Sequence, residues 1–404
     1  MTKVLNLSLK MAGLVSKLAL VLIISRNASN ADFGFYGLFS ALNIYIVGLI
    51  GLEYHASSNR EVCRSGGSTS LFTNHVVFAF FVSILSVFIS LGVFVFELIP
   101  KNLIFYFSFI LVFEYISLEI IRYLNMTDRQ VQSSLVFSIK TTVWIFPFSL
   151  VVLYSSTISM ENLYLLWLAF SLLSTVLGLI ILRPDIVRWF SYDLVSFQEI
   201  KNRIIDSKYI FISSQAVLAL YVVDRYVVNF NAGVDIVAIY VFYSLITGAL
   251  LSILDSTVFV FYLPTLISLF AKKDNKRIFQ TIKKMFVNVA TICTLFCIAA
   301  LILIDPLLKF INKSNYLEHK IIFYILLLAT VVRLLSLVPH YSLYAIKKDN
   351  LMLKLNLLSL AMFLVTSYLL MLLGVSSILA VSLSMLLLNI FHLSIKSSYL
   401  LRIM

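Results

Sequence analysis

LFTNHVVFAFFVSILSVFISLGVFVF, residues 71–96, contains no Asp, Glu, Lys or Arg. About 20 apolar residues are enough to carry a helix through the hydrocarbon of a bilayer. Similar runs recur along the chain, at about 8–25, 36–53, 71–96, 102–121, 134–153, 162–182, 208–228, 236–263, 286–304, 321–342, 352–373 and 376–395. The sequence therefore predicts an all-α polytopic membrane protein with twelve transmembrane helices.

The overall composition agrees with this class of protein. The 404 residues are 61% hydrophobic and 12% charged, whereas soluble domains are roughly half apolar and a quarter charged. The apolar runs are continuous rather than alternating, which disfavours a spanning β-barrel. A soluble enzyme is excluded, because no single soluble core accommodates so much apolar side chain.

The basic side chains are distributed unevenly between the loops. If the N-terminus lies in the cytoplasm, 22 of the 31 Lys and Arg residues fall on the cytoplasmic side, five on the outer side and four inside helices. This asymmetry is typical of helical membrane proteins and predicts that both termini are cytoplasmic. The net charge of +12 is then a consequence of topology, and nucleic acid is not an expected partner. The basic, apolar N-terminal segment lacks a small-residue cleavage site, which predicts a retained first helix.

The two halves of the chain resemble each other. LALVLIISR (18–26) matches LALYVVDR (218–225), and an acidic residue follows at corresponding places in the second and eighth helices, at Glu53 and Asp255. Both halves begin on the same side, so the repeats are parallel, as in the lobes of alternating-access transporters. We predict two pseudo-symmetric six-helix lobes around a central cavity, at 1–182 and 208–404.

The segment 183–207 between the predicted lobes is amphipathic. Its apolar residues recur at helical spacing among charges, at Ile186, Phe190, Leu194, Phe197, Ile200 and Ile204. This pattern predicts a linker helix on the cytoplasmic membrane surface.

Four cationic residues fall inside the predicted helices. Lys17 and Arg333 lie near the middle of helices 1 and 10, about 10–15 Å from either interface, where a charge is costly unless it faces a partner or a wet cavity. Lys140 could instead snorkel to the inner interface, and Arg225 could pair with the adjacent Asp224. Because Arg and Lys bind phosphate, we predict that Lys17, Lys140, Arg225 and Arg333 contact an anionic cargo.

Acidic residues inside the helices suggest coupling to an ion. A carboxylate that gains and loses a proton can bias which side of a transporter opens. On this basis Asp224, Asp255 and Glu53 are predicted ion-coupling residues, with an anchoring role in the adjoining turn as the alternative for Glu53. Glu114 is interpreted as a hydrogen-bonded residue of the core.

No pattern of a catalytic or metal site is present in the sequence. The three cysteines and five histidines show neither a disulfide framework nor metal-ligand spacing, and there is no Walker pattern. We expect no cofactor, no resident metal and no enzymatic activity.

Three segments carry a resemblance to a known family. The segments are GLEYHASSNRE (51–61), NADFGFYGLFSAL (30–42) and VVDRYVVNFNAGVDIVAIYVFYSL (222–245). They resemble Wzx-type polysaccharide-unit flippases of the multidrug/oligosaccharidyl-lipid/polysaccharide (MOP) exporter superfamily. The predicted helix count, lobes and linker extend the resemblance over essentially the whole chain.

The resemblance implies a function and a location. The cargo would be an oligosaccharide unit on undecaprenyl diphosphate, moved from the cytoplasmic to the periplasmic leaflet of a bacterial inner membrane for O-antigen (lipopolysaccharide) biosynthesis. Lys17 and Arg225 would meet the diphosphate or acidic sugars, with Asp224 and Asp255 as coupling acids. A polymerase and a chain-length regulator of the same pathway would be partners.

Two alternatives belong to other functional classes. A drug/cation antiporter of the same superfamily would favour acidic rather than basic residues in its cavity. An integral-membrane polysaccharide polymerase or acyltransferase would need a large outer loop or a catalytic His or acid cluster, and the sequence shows neither. The flippase is therefore the favoured hypothesis.

Overall fold

The computed structural model describes residues 2–65, 69–127, 129–154, 159–272, 274–346 and 348–403. Within these ranges the chain is helical and contains no β-strand, which confirms the predicted all-α class. The first eight helices are α1 (Thr2–Asn27), α2 (Asn30–Ile50), α3 (Tyr54–Ser65), α4 (Thr69–Val95), α5 (Ile104–Met126), α6 (Gln130–Ser138), α7 (Ile145–Tyr154) and α8 (Met160–Trp189). The remaining helices are α9 (Phe197–Ala232), α10 (Val234–Leu254), α11 (Val260–Lys272), α12 (Asn275–Ile311), α13 (Ser314–Glu318), α14 (Lys320–Ala345), α15 (Asp349–Leu372) and α16 (Ser377–Ile403).

The lengths of these helices suit a multi-pass membrane protein. In the described part of the chain, 11 helical segments are long and apolar enough to cross a bilayer. Helix α1 is a further 26 residues long, or about 39 Å at the α-helical rise. Together they account for the twelve helices that the apolar runs predict.

The structure does not contain the predicted separate linker helix at 183–207. Residues up to Trp189 complete α8, a single 3₁₀ turn follows at Tyr192–Leu194, and α9 begins at Phe197. The start of α9 is fixed by Ser196, whose Oγ accepts a hydrogen bond from the Glu199 backbone N–H at 3.3 Å, half of a capping box. Residues 197–207 therefore form the first turns of the 36-residue helix α9 rather than a separate helix.

Two of the spanning segments contain a π-helical turn. Ile139–Val143 joins α6 to α7, and Asp255–Phe259 joins α10 to α11. Such turns are rare inside α-helices and occur frequently at functional sites. Each of these two carries a predicted site residue, Lys140 in the first and Asp255 in the second.

The chain forms two compact units. Unit 1 comprises Met1–Leu20 and Leu38–Val222, and unit 2 comprises Val21–Gly37 and Val223–Met404. Unit 1 has a core where α5, α6 and α8 meet, around Leu124 and Val136. Unit 2 has a core where α10, α11, α12 and α14 meet, around Leu254 and Met285. The sequence-based lobe limits, 1–182 and 208–404, stay a prediction.

Candidate functional site: ionisable groups at the two π-helical turns

In unit 1 the first π-helical turn places Lys140 against α5. The Lys140 side chain is buried, and its ammonium donates to the Glu114 carbonyl at 3.0 Å and to Ser117 Oγ at 3.2 Å. It also forms an ion pair with the Glu114 carboxylate. Lys140 therefore does not snorkel to the interface, and its ammonium is already engaged inside the protein.

Glu114 is the acidic centre of this cluster. Besides Lys140, its Oε1 accepts from Trp167 Nε1 at 2.9 Å and from Ser171 Oγ at 3.2 Å, both on α8. An ammonium partner and two further donors compensate the charge of a buried carboxylate. Sequence reasoning leaves Glu114 out of the predicted site, since no single-sequence pattern links α5 to Trp167 on α8.

Lys17 approaches the same cluster from α1. One turn earlier, Gly13 packs against the π-helical turn, where a Cβ at position 13 would lie 3.2 Å from Thr142 Oγ1. Positions four apart share a helix face, so Lys17 projects on the side of this contact, and both Glu114 and Lys140 act on it electrostatically. Its side chain is exposed and donates no hydrogen bond to the described residues. Because Glu114 neutralises Lys140, Lys17 is the cation this cluster leaves available.

In unit 2 the second π-helical turn carries Asp255, whose side chain is exposed. Its carboxylate is hydrogen-bonded to Tyr341 and lies within electrostatic reach of Arg333, both on α14. Two predicted site residues, Asp255 and Arg333, are thus brought together. Each unit therefore pairs an ionisable residue on a π-helical turn with an opposite charge on a neighbouring helix.

A basic cluster next to Arg333 escapes the sequence-based prediction. Lys396, which is only 3% exposed, places its ammonium 3.5 Å from His392 Nδ1. The other ring nitrogen of His392 contacts Ser359 Oγ on α15, which itself donates to the Leu355 carbonyl at 2.6 Å. Arg333 acts electrostatically on Lys396 and His392. The charge census assigns Lys396 to a cytoplasmic segment, which stays a prediction, but it does not indicate that the side chain is buried.

Asp224 and Arg225 make a separate structural arrangement in unit 2. The buried Asp224 accepts a hydrogen bond from Tyr240 Oη at 2.8 Å and from the Arg225 backbone N–H at 2.6 Å. Arg225 Nη1 donates to the Gly37 carbonyl at 2.5 Å. These contacts join α9 to α2 and α10 and do not involve the Asp255 turn. They favour a packing role for both residues.

Glu53 lies in the turn between α2 and α3. Its backbone adopts a left-handed φ of 51°, following Leu52 at 47°. Its Oε2 is 3.5 Å from His55 Nε2. This contact is local to unit 1 and favours the anchoring alternative for Glu53. Among the described residues, no group of three or more His, Cys, Asp or Glu side chains is arranged to hold a metal ion.

Comparisons with known proteins show which solved structures have a similar fold. No protein-family model matches the chain, and no curated protein sequence matches it. Among solved structures it is similar to an inward-facing multidrug resistance MATE family transporter of the MOP superfamily, at a TM-score of 0.73 and 13% identity over 98% of this chain and 97% of the other. An outward-facing MATE family transporter gives a TM-score of 0.72 at 10% identity, over 98% and 94% of the two chains.

A third solved structure is similar over the same extent. It is a MOP superfamily transporter from Pyrococcus furiosus, with a TM-score of 0.66 and 12% identity over 98% of this chain and 95% of that chain. Identities this low establish the fold alone. The chain therefore has the fold of these transporters, which is the fold that the sequence resemblance implies.

Proposed function

We propose that this protein is a flippase that moves undecaprenyl-diphosphate-linked oligosaccharide units from the cytoplasmic to the periplasmic leaflet by alternating access. The observation that carries the proposal is the basic character of both ionisable clusters. In unit 1 the Glu114–Lys140 pair is internally neutral and Lys17 remains exposed beside it. In unit 2 the residues around Arg333 include the buried Lys396.

Basic side chains in a low-dielectric region favour an anionic ligand. A charge inside the membrane is expensive unless it is compensated, and a diphosphate would compensate Lys17 through charge-assisted hydrogen bonds. An organic cation would instead be repelled by Lys17. The fold likeness does not decide the sign of the cargo, since the MOP transporter from Pyrococcus furiosus is itself described as having a binding pocket of reverse polarity, which suggests a different function for that protein.

A drug/cation antiporter is the second candidate. The similar solved structures include multidrug resistance transporters, and Asp255 offers an exposed carboxylate that could bind a cation. The two candidate functions predict different transport of lipophilic cations. An antiporter would move lipophilic cations at a rate that falls in Asp255→Asn, and a flippase would not move them.

A flippase of this kind also has defined surroundings and needs an energy source. The protein would span the bacterial inner membrane with both termini in the cytoplasm, and would act with the polymerase and chain-length regulator that consume its product.

Asp255 is the acid best suited to couple transport to an ion, because it is exposed and lies beside Arg333. Asp224 and Glu53 are less suited, since their contacts are local or fully satisfied.

Deletion in the native host, followed by lipid-linked glycan analysis, tests the function directly. A flippase predicts loss of surface polysaccharide and accumulation of single lipid-linked units on the cytoplasmic leaflet. Surface chains limited to one repeat unit would indicate a polymerase and refute the proposal. Unchanged glycans together with sensitivity to cationic drugs would favour the antiporter.

A further inference from the structure

The first turns of α12 and the link before them are strongly basic. The segment 272–284 contains six Lys or Arg residues and one acidic residue, Asp274. The Asp274 carboxylate is used locally, since it accepts a hydrogen bond from the Arg277 backbone N–H at 3.1 Å and lies 3.4 Å from the Arg277 guanidinium. Three lysines of the same turns are exposed, namely Lys276, Lys283 and Lys284. None of the three forms an ion pair with the described residues, and the proposed cargo site contains none of them.

Basic and aromatic residues alternate along the exposed side of these turns. Lys276, Phe279, Lys283 and Phe286 follow one another at steps of three and four residues, which places them on one side of the helix. We call these four residues the α12 stripe. Phe279 is 58% exposed and Phe286 is 46% exposed, whereas Met285, on the other side of α12, is fully buried in the core of unit 2. The α12 stripe therefore faces away from that core.

The length of α12 places the stripe at the level of lipid headgroups. Its 37 residues span about 55 Å, whereas the hydrocarbon is about 30 Å thick. The uncharged run 285–304 accounts for the crossing, and only 17% of the apolar window of α12 is buried, the lowest share among the candidate spans of the described chain. From Lys276 to Lys284 the helix rises about 12 Å, which covers a headgroup layer of about 5–8 Å.

Membrane topology alone explains the lysines but not the phenyl rings between them. The bias of Lys and Arg towards cytoplasmic segments concerns their number and requires no aromatic neighbours. In water the exposed Phe279 ring would gain nothing from the hydrophobic effect, whereas at the boundary between headgroups and acyl chains it is removed from water. Lysine side chains can extend from the same place towards the headgroups. The α12 stripe thus combines the two features that hold a helix surface against anionic lipid.

We propose that the α12 stripe, together with the adjacent Lys284, binds an acidic phospholipid of the surrounding leaflet. The three ammonium groups donate to the phosphate oxygens, and the rings of Phe279 and Phe286 contact the glycerol and the first methylenes of the acyl chains. Clusters of four to eight Lys and Arg beside a transmembrane helix attract anionic headgroups, and the ring contacts fix the lipid at this place. The ligand is a phosphodiester lipid with a net negative headgroup, such as phosphatidylglycerol.

Native mass spectrometry of the purified protein in detergent tests this binding, with phosphatidylglycerol as the probe and phosphatidylcholine as the reference. Phosphatidylglycerol should bind more tightly than phosphatidylcholine. The triple variant Lys276→Gln/Lys283→Gln/Lys284→Gln should bind phosphatidylglycerol more weakly, by about 5-fold for each lysine removed, the equivalent of ~1 kcal/mol per cation. Phe279→Ala should also weaken binding although it removes no charge. All four side chains are exposed, so these variants should fold normally.

A second triple variant provides the matched control. Lys201→Gln/Lys208→Gln/Lys354→Gln removes three exposed lysines of α9 and α15 from the same predicted side of the membrane, and it should keep phosphatidylglycerol binding within about 2-fold of the wild type, because none of the three lies on α12.

Three results would overturn the proposal. Equal losses in the two triple variants would show a general attraction to basic loops, and equal binding of phosphatidylcholine would show that the lipid need not be acidic. A dimer in detergent that Phe279→Ala abolishes, with no preference for phosphatidylglycerol, would identify the α12 stripe as an interface between two copies of the chain. No arm of the experiment measures transport, so failure here leaves the flippase proposal standing.

Discussion

Lys140 forms its ion pair with Glu114 across two helices, from a π-helical turn to the middle of α5. Both side chains are buried, so each compensates a charge that would otherwise be costly in this setting. Because of this pair, we assign different roles to Lys140 and Lys17. Lys140 stabilises unit 1, and we propose that the exposed Lys17 next to it contacts the cargo.

The pair should therefore be strongly coupled in stability. Breaking a buried pair by removing one partner costs about 3–5 kcal/mol, so Glu114→Gln and Lys140→Met should each lower the free energy of unfolding markedly. The double variant should lose less than the sum of the two. Unfolding of the wild type, the two single variants and the double variant in detergent micelles measures this coupling. Lys101→Met, which breaks the exposed pair with Glu97, should cost about 0.5 kcal/mol. Equal small effects at all three positions would show that the pair is not buried.

Lys17→Gln should impair export without destabilising the protein. Its ammonium makes no hydrogen bond with the described residues, so its removal breaks no internal hydrogen bond. One charge-assisted contact to the cargo is worth about 1.5–3 kcal/mol, or roughly 10- to 150-fold in affinity. Accumulated lipid-linked units measure the effect, with Lys309→Gln as the matched exposed control. Normal export at normal protein level in Lys17→Gln would remove this residue from the site.

Asp255→Asn and Asp224→Asn should have different effects. Asp255 is exposed beside Arg333, so its amide variant should fold normally and lose the dependence of transport on a proton or sodium gradient. Asp224 is buried and accepts from Tyr240, so its variant should lose stability, by about 1–3 kcal/mol. Proteoliposome flux and thermal unfolding separate the two outcomes. If Asp255→Asn keeps the dependence on the gradient, a residue other than Asp255 couples transport to the ion.

The helices could be predicted from the sequence because each needs only a continuous apolar run. The π-helical turns could not, since one extra residue per turn leaves no trace in an apolar run. Sequence reasoning finds Lys140 and Asp255 as misplaced charges, yet their partners Glu114 and Arg333 depend on which helices pack together. That information is not contained in the spacing of one chain.

Lys396 shows the limit of counting charges. A lysine seven residues before the end of α16 is indistinguishable in sequence from one in a loop, so a census assigns it to the cytoplasmic side. Its burial follows from the packing of α16 in unit 2, where α14 and α15 are its neighbours, and a count of charges does not show this packing. The one signal in the sequence is His392 four residues earlier, on the same helix face. The linker prediction is wrong because an amphipathic pattern is the same whether a helix is separate or continues into a longer apolar helix.

The stability of unit 1 should fall in acid through His55. Burial, followed by the Arg122 guanidinium, lowers the pKa of His55 below its ordinary 6.5. Below pH 6.5 the unfolded chain then binds more protons than the folded one, so stability decreases as pH falls, by at most about 1.4 kcal/mol per pH unit. His55→Gln should flatten this part of the curve and match the wild type at pH 8. Identical slopes in both proteins would contradict the assignment.

The close approach of α2 to α10 inside unit 2 should not tolerate a methyl group at Gly34. A Cβ there would lie 2.2 Å from the Val234 carbonyl oxygen and 2.7 Å from Val234 Cγ2, so backbone must move. Overpacking of this kind costs about 1–3 kcal/mol, and Gly34→Ala should lower the unfolding temperature. At Gly248, in the same unit, an added Cβ would have no heavy atom of a neighbouring group within 4 Å. Gly248→Ala should therefore be neutral or stabilising, by up to about 1 kcal/mol from helix propensity. Because both substitutions add the same methyl group to a helix, a comparable loss at the two positions would mean that helix flexibility, rather than contact with Val234, requires the glycine.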